Sequence, residues 1–519
     1  MPITLWGDSI ALIMKNISFV ILIDAQTNWL GQPSRIFDPL SDHTTISFLV
    51  EQLGSFEIPI IFSVYQGNSA ISEKLHSFRG VEVIESSTAN ESHRLLDVCE
   101  RFNLNKVIRL SGDNPFLGSE LIYQGIELMH SYDFIYTYGF PIGINIEFIN
   151  KDTIRKCLET GSDKRVREII TTDLSRTVKI GYLQAEGNLN RPETRWTTGS
   201  KLDFDHLKRF IHEMELDPAK LPSLNELMDS YNSLMQNHLP MPTMVNIEPT
   251  NKCNLKCIMC PRDEMERSLG VMDLDTFKEV IDQCVESGVS QITLNGYGEP
   301  FIAKQIFEMI EYTMQTPLNL KINTNGHYLN SKNIEQLLNQ PPHHLSISLD
   351  GATKETYERV RINGRFDRLM SNLDTLLAER AKRKNHPMKI TLQIIRMDET
   401  EEEIDEFISQ WKSRVDEISI PNIHNWGGLY EESGNLGKME VKRVPCKELW
   451  RTMMVFQDGS TSICCAVFDN NMNMGNIKEQ HLSDIWRSDD YNQLRQHHMD
   501  GNFHLIDICK DCNMWKSYG

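Results

Sequence analysis

Cys253, Cys257 and Cys260 stand within eight residues of one another in TNKCNLKCIMCPRDE, residues 250–264. Three thiols so spaced read in three ways: unrelated core cysteines, a zinc site short of a ligand, or an iron–sulfur cluster with one iron left open. The third has a chemical use. A cubane that only carries electrons needs four thiolates, whereas three leave one iron free to bind something else, as catalytic metal sites keep a vacant position. A second group lies in the tail: Cys446, Cys464, Cys465, and the CxxC pair Cys509 and Cys512. Four of these thiols suit structural zinc as well as a fully ligated cluster. Cys99, Cys157 and Cys284 stand apart and read as buried side chains.

The elements that must position these thiols follow from periodicity. Residues 1–215 alternate short apolar runs (ISFVILID, IPIIFSVY, VEVIES, KVIRLSGD, YDFIYTY) with amphipathic stretches such as ESHRLLDVCERFN and FDHLKRFIHEME. Strand–helix alternation predicts an α/β layer fold. Residues 216–242 are polar and punctuated by proline, and read as a helical linker ending at Pro240 and Pro242. A second α/β series occupies 243–440, with strands at MVNIEPT, QITLNG, LKINTNG, HLSISLDG, KITLQIIRM and VDEISIPNI. Its helices include DLDTFKEVIDQCVESG, with Asp273 as N-cap and Gly288 at its end. Six strands with crossover helices predict a parallel sheet curved into a partial barrel, whose ligand sits at the C-terminal strand ends. The cysteine loop follows the first strand at that end. Residues 441–519 are loop-rich and too few to build a core alone, so a metal staple is expected there.

Bulk properties narrow the classes. A chain of 519 residues exceeds one ordinary domain. The net charge of −19 argues against general nucleic-acid binding and against a polybasic membrane anchor, both of which need excess Lys and Arg. The longest apolar runs are of strand length, and the first twenty residues lack a basic start and carry Asp8. A cytoplasmic location with reduced thiols is the expectation, which favours metal ligation over disulfides.

The CxxxCxxC loop after a first barrel strand closely resembles the radical S-adenosylmethionine (SAM) superfamily. The resemblance implies a [4Fe–4S] cluster on Cys253, Cys257 and Cys260, its open iron chelated by SAM, which it cleaves to a 5′-deoxyadenosyl radical. LNGYGEP resembles the family's glycine-rich motif, implying SAM contacts at Gly296, Gly298 and Glu299, where a backbone can approach a ligand only without a Cβ. Asn325 in NTNG, and Ser348 and Asp350 in SISLDG, fall at the next strand ends, the last two spaced to share a face. Met259 takes the place of the aromatic residue many members carry before the third cysteine, and packs on the adenine by implication. The tail resembles the SPASM/twitch extension in its single-cluster form. That likeness implies an auxiliary [4Fe–4S] cluster on Cys446, Cys464, Cys509 and Cys512, with Cys465 spare.

Near the N-terminus, VIRLSGDNPFLGSELI resembles the metal-binding strand of cytidylyltransferase-like proteins of the nucleotide-diphospho-sugar transferase fold, with Asp113 matching the first metal-binding aspartate. The loop that should grip triphosphate is AQTNWLGQPSRIF, with Arg35 as its one cation, and the second metal aspartate falls on Gly199. Two-metal nucleotidyl transfer is poorly supported without that carboxylate, so the domain is expected to be degenerate.

The expectation is therefore an α/β enzyme of three parts: a Rossmann-like nucleotidyltransferase-type domain, a partial (β/α)6 radical SAM barrel, and a small cysteine-rich domain. Its expected reaction is hydrogen abstraction from a sugar, cyclitol or nucleotide-sugar, with dehydrogenation at a hydroxyl carbon, in surface-glycan or natural-product biosynthesis. An external one-electron reductant of flavodoxin or ferredoxin type, and no nucleic acid or membrane, would be its partners. Arg396 and His424, after the fifth and sixth strands, are candidates to face the substrate. The alternatives are a peptide-modifying or maturase radical SAM enzyme, and a bifunctional nucleotidyltransferase.

Overall fold

The computed structural model describes residues 16–518 apart from 24–34, 66–68, 163, 176, 200, 236–238 and 431–441. The chain divides into two compact units, Met1–Leu239 and Pro240–Tyr518. The expected triphosphate loop lies outside the described residues except at its end.

The first unit is a seven-stranded sheet built from β1 (Ile17–Ile23), β2 (Ile60–Tyr65), β3 (Val81–Ser86), β4 (Lys106–Ser111), β5 (Phe134–Tyr138), β6 (Glu147–Asn150) and β7 (Ile180–Gln184). Their order is β3-β2-β1-β4-β6-β5-β7. Every pairing is parallel except those of β6, which is antiparallel to β4 and β5. β1 is buried along its whole length, as a central parallel strand covered on both faces must be. The strand order reverses between β1 and β4, the place where open α/β sheets form a ligand crevice. The segment read as a linker contains the helix Leu224–Met235. Leu227, Met228 and Tyr231 of that helix are buried in the first unit's core, where Tyr231 meets Phe210 at 5.2 Å between ring centroids.

The second unit carries the six expected strands: β8 (Met244–Ile247), β10 (Gln291–Leu294), β11 (Asn319–Thr324), β12 (His344–Ser348), β14 (Lys389–Gln393) and β15 (Glu417–Ser419). All are parallel and adjacent in chain order. Two-residue strands β9 (Lys256–Cys257) and β13 (Arg361–Ile362) pair antiparallel beside them. Alternation sorts the side chains. Val245, Ile247, Ile292, Leu294, Leu320, Ile322, Leu345, Ile347, Ile390 and Leu392 are buried on one face. Asn246, Thr293, Lys321, Asn323, Ser346, Thr391 and Gln393 alternate with them on the other, so the inner face is polar. The helix Leu274–Glu286 begins where Asp273 accepts the Thr276 N–H at 2.8 Å, a cap worth about 1 kcal/mol. It ends at Gly288, whose φ of +74° a residue with a Cβ tolerates poorly.

The tail does more than follow the barrel. β16 (Thr452–Val455) pairs parallel with β8, and β17 (Ser460–Ser462) and β18 (Gly475–Asn476) continue the sheet antiparallel, making nine strands. Met453, Met454 and Val455 are fully buried. A segment too small for its own core thus shares the core of the sheet it extends, and covers an edge that would otherwise be open.

Candidate functional site

The loop after β8 is held from three sides. Cys257 lies in the β9–β13 ladder opposite Arg361, and the Ile258 N–H reaches the Val360 carbonyl at 3.0 Å. Cys260 closes a turn through its N–H to the Cys257 carbonyl (3.1 Å) and precedes Pro261. Burial pushes the Cys260 thiol up to about 11, and raises Cys253 and Cys257 as well. Thiols buried in this way ligate a metal only by releasing protons.

Gly298 packs its backbone against this loop. A Cβ there would lie 2.1 Å from the Thr250 carbonyl oxygen and 2.7 Å from that of Lys252. Gly296 has φ +126°, and a Cβ would meet Glu248 at 2.8 Å. Only glycine permits this close approach. The Glu299 carboxylate is fully buried and engaged. It accepts from the Asn325 N–H and the Thr324 hydroxyl, both at 2.7 Å, and caps the turn through the Phe301 N–H at 3.3 Å. Burial raises its pKa. Glu299 therefore ties the β10 loop to the β11 end. Asn325 directs its amide to Asn254 (2.9 Å) and towards Cys253 Sγ (3.9 Å).

Ser348 ends β12, half-buried. Asp350 does not continue that strand: its φ is +47°, so the alternation that would place it beside Ser348 stops short. Its carboxylate is completely buried, with Oδ1 accepting from the Ile395 N–H at 2.6 Å and Oδ2 held by Arg361 Nε at 2.8 Å and Nη2. Arg361 Nη1 lies 3.4 Å from Cys257 Sγ. Asp350 therefore acts on the cysteine loop through Arg361, a partner that spacing alone did not reveal. The Met259 side chain is buried with Val360 and Met397. Its carbonyl accepts from Trp426 Nε1 at 2.8 Å.

The tail thiols converge. One cavity is lined by Cys446, Cys464, Cys465, Cys509 and Cys512 together with Arg443, Glu448 and His498. Burial raises all five thiols, Cys465 and Cys509 to about 12. The donor set, five buried thiols converging on one cavity, fits a thiolate-ligated cluster.

Loops of the barrel help to build this cage. Asn425 and Asn513 exchange backbone-to-side-chain hydrogen bonds at 3.2 and 3.1 Å, and Asn425 Nδ2 donates to the Asp511 carbonyl at 2.7 Å. His424 accepts the Trp426 N–H on Nδ1 (2.8 Å), and its Nε2 lies 3.8 Å from Cys512 Sγ. Burial lowers its pKa to about 4. The Tyr297 hydroxyl donates to the Cys465 carbonyl. Arg267 donates to both oxygens of the fully buried Glu248 at 2.8 and 3.0 Å, to Gln457 at 3.1 Å, and to the Phe468 carbonyl at 2.7 Å. Arg396 is buried after β14, its Nε 3.5 Å from Glu401.

In the first unit, the Asp113 carbonyl accepts from the Thr198 N–H (2.9 Å) and hydroxyl (3.1 Å). Gly199, where the second metal carboxylate was expected, therefore adjoins Asp113. Among the described residues, a Cβ on Gly199 would meet only the Thr197 side chain, at 3.5 Å and beyond. The backbone brings the two positions together, but one of them has no side chain.

Residues 247–410 match the model of the radical SAM superfamily, and residues 446–513 match that of the SPASM iron–sulfur cluster-binding domain. A SAM-dependent 2-deoxy-scyllo-inosamine dehydrogenase of Niallia circulans is 24% identical over 275 residues, covering 52% of this chain and 92% of that protein. The mycofactocin maturase MftC of Mycobacterium tuberculosis is 29% identical over 140 residues, 27% of this chain and 36% of the maturase. Among solved structures, a cytidylyltransferase of Leptospira borgpetersenii aligns with 20% identity and a TM-score of 0.37, over 42% of this chain and 94% of that one. No helix among the described residues is long and apolar enough to cross a membrane. The chain is an enzyme with a radical SAM domain at residues 247–410, extended by an SPASM iron–sulfur domain at residues 446–513.

Proposed function

We propose that the protein dehydrogenates a hydroxyl-bearing carbon of a carbohydrate-type substrate: a sugar, cyclitol or nucleotide-sugar. The observation that carries this reading is the span of the dehydrogenase relative, which matches this chain over 275 residues, 92% of its own length. The maturase shares 36% of its length. A single cavity holding all the tail thiols fits one auxiliary cluster.

In this reading Cys253, Cys257 and Cys260 hold the open cluster, and Cys446, Cys464, Cys509 and Cys512 hold the closed one. Together with SAM these groups supply a carbon-centred oxidant and a one-electron acceptor. The chain's own residues do the rest. Gly296 and Gly298 let the backbone come close to SAM, with Asn325 and Ser348 at the neighbouring strand ends. Glu299 and Asp350 fix the loops that carry these contacts. Trp426 anchors the turn beside the third cysteine by donating from Nε1 to the Met259 carbonyl, while the Met259 side chain packs with Val360 and Met397. Arg396, buried beside Glu401 after β14, is the side chain this reading assigns to orient the substrate hydroxyl, as a hydrogen-bond donor.

The first unit serves binding or positioning, because nucleotidyl transfer lacks a second carboxylate at Gly199. Anaerobically reconstituted protein should hold about eight irons per chain, four per cubane. It should cleave SAM to 5′-deoxyadenosine when reduced by flavodoxin or dithionite, and a panel of cyclitols, sugars and nucleotide-sugars should accelerate that cleavage with formation of a carbonyl product. Zinc in place of iron, with no cleavage, would sink the reading. Acceleration by peptides alone would move it to the maturase class.

A further inference from the structure

We propose that two imidazoles, His424 and His498, donate hydrogen bonds from Nε2 to the auxiliary cluster and raise its reduction potential. The proposal rests on the reading that the tail cysteines hold that cluster.

The tautomers follow from the partners. The Trp426 N–H points at His424 Nδ1 (2.8 Å), and the Cys446 N–H points at His498 Nδ1 (3.1 Å). A ring nitrogen that accepts carries no proton, so in each neutral imidazole the proton resides on Nε2. His424 Nε2 then faces Cys512 Sγ at 3.8 Å, a contact within reach of an N–H···S bond. His498 lines the five-thiol cavity. It is 1% exposed, and its Nε2 is buried without a hydrogen-bond partner among the described residues. A buried N–H in that condition costs free energy until an acceptor arrives. A cluster filling the cavity brings sulfur acceptors, both cysteinyl thiolates and bridging sulfides. The Met514 N–H, 3.4 Å from Cys512 Sγ, adds a backbone donor to the same ligand.

Hydrogen bonds to cluster sulfurs stabilise the more electron-rich, reduced form, so donors raise the potential. The two histidines come from different parts of the unit. His424 lies on the loop after β15, and His498 on the helix Asp489–Met499. A raised potential suits a cluster whose task is to take an electron from a substrate radical.

The test is EPR-monitored potentiometry of the reconstituted full-length protein. Wild type is compared with His424→Asn, His498→Asn and the double variant. Asparagine keeps an acceptor at the Nδ1 position, for the Trp426 N–H as an Asx turn and for the Cys446 N–H, but has no donor at the Nε2 position. The auxiliary signal is assigned by its persistence when Cys253, Cys257 and Cys260 are replaced by alanine. The double variant should shift the one-electron equilibrium about tenfold towards oxidation, a fall in midpoint of ~59 mV. An unchanged midpoint with iron retained overturns the inference and leaves the dehydrogenase reading standing. Absence of any auxiliary signal in the wild type overturns both. Should the asparagine variants lose iron, His498→Gln, which restores an N–H near the Nε2 position, decides. A retained cluster at the wild-type midpoint supports donation, and loss of iron there too assigns His498 to packing and overturns the proposal.

Discussion

Arg361 is the residue whose replacement tests most of the site at once. It is 9% exposed, sits opposite Cys257 in the β9–β13 ladder, and bridges Cys257 Sγ at 3.4 Å and the wholly buried Asp350. Arg361→Met keeps the apolar stem and removes the charge. Two routes give the cost. Unit charges about 4 Å apart at an effective dielectric near 20 attract by about 4 kcal/mol. Removing one partner of a buried pair is observed to cost about 3–5 kcal/mol. Against a total stability of roughly 5–15 kcal/mol, that is a large fraction. Anaerobic urea titration followed by tryptophan fluorescence should show the loss. Asp350→Leu added to Arg361→Met should recover most of it, because no unpaired charge then remains. Cluster loading reports the second contact: losing a residue that orients a ligand lowers metal affinity or activity by about 10–100-fold, read as iron bound and 5′-deoxyadenosine formed. An Arg361→Met protein within 1 kcal/mol of wild type, or a double variant no more stable than the single one, would refute the account of Asp350 as a carboxylate that depends on Arg361.

Gly298→Ala should abolish SAM cleavage, since the new Cβ would lie 2.1 Å from the Thr250 carbonyl oxygen; a misplacement of about 1 Å already costs on the order of 100-fold. Gly199→Ala meets only Thr197 among the described residues, at 3.5 Å, and should leave the stability from urea titration within about 0.5 kcal/mol of wild type. Cys464→Ser should reduce bound iron from about eight to about four per chain, and Cys465→Ser should leave about eight, by elemental analysis after reconstitution. In the first unit, burial pushes Glu193 up to about 7 despite Arg191 at 3.9 Å. The folded state then holds its proton more tightly than the unfolded chain, so this stabilising contribution is complete below about pH 4 and is lost as pH rises towards 7, by at most about 3 kcal/mol. Denaturation followed through the buried Trp196 should show that decline, and Glu193→Gln should remove it.

Much of this was legible from residue order. The six barrel strands announce themselves as short runs rich in β-branched residues, and the motifs fall at their C-terminal ends, where a parallel barrel presents its loops. Pairing partners were the part that residue order hid. Glu299 and Asp350 read as ligand contacts because they lie at strand ends, yet each is buried, and a buried carboxylate must first be satisfied by the protein. Asp350 meets Arg361 across a ladder of two residues, too short to leave a periodic trace. β16 was equally hidden: a four-residue strand finds β8 some two hundred positions earlier, and local pattern carries no record of so distant a partner. β6 runs against its neighbours for the same reason, a choice made by the sheet and not by its own four residues.

The β16 pairing bears on how the two clusters work together. β8 is hydrogen-bonded to β10 on one side and to β16 on the other, so the loop with Cys253 and the strand leading to Cys464 grow from neighbouring strands of one sheet. Arg267 then links Glu248, at the end of β8, to Gln457 and the Phe468 carbonyl beyond β16. Its guanidinium stacks over Phe456 at 4.1 Å. Glu248 in turn lies against Gly296, and its Oε2 accepts the Tyr297 N–H at 3.2 Å. Tyr297 closes the circuit by donating to the Cys465 carbonyl. Domains joined by a linker alone are expected to move relative to one another. A continuous sheet with a buried ion pair across it holds the two cysteine groups at a fixed spacing, and gives the first cysteine loop and the tail cavity a shared set of side chains.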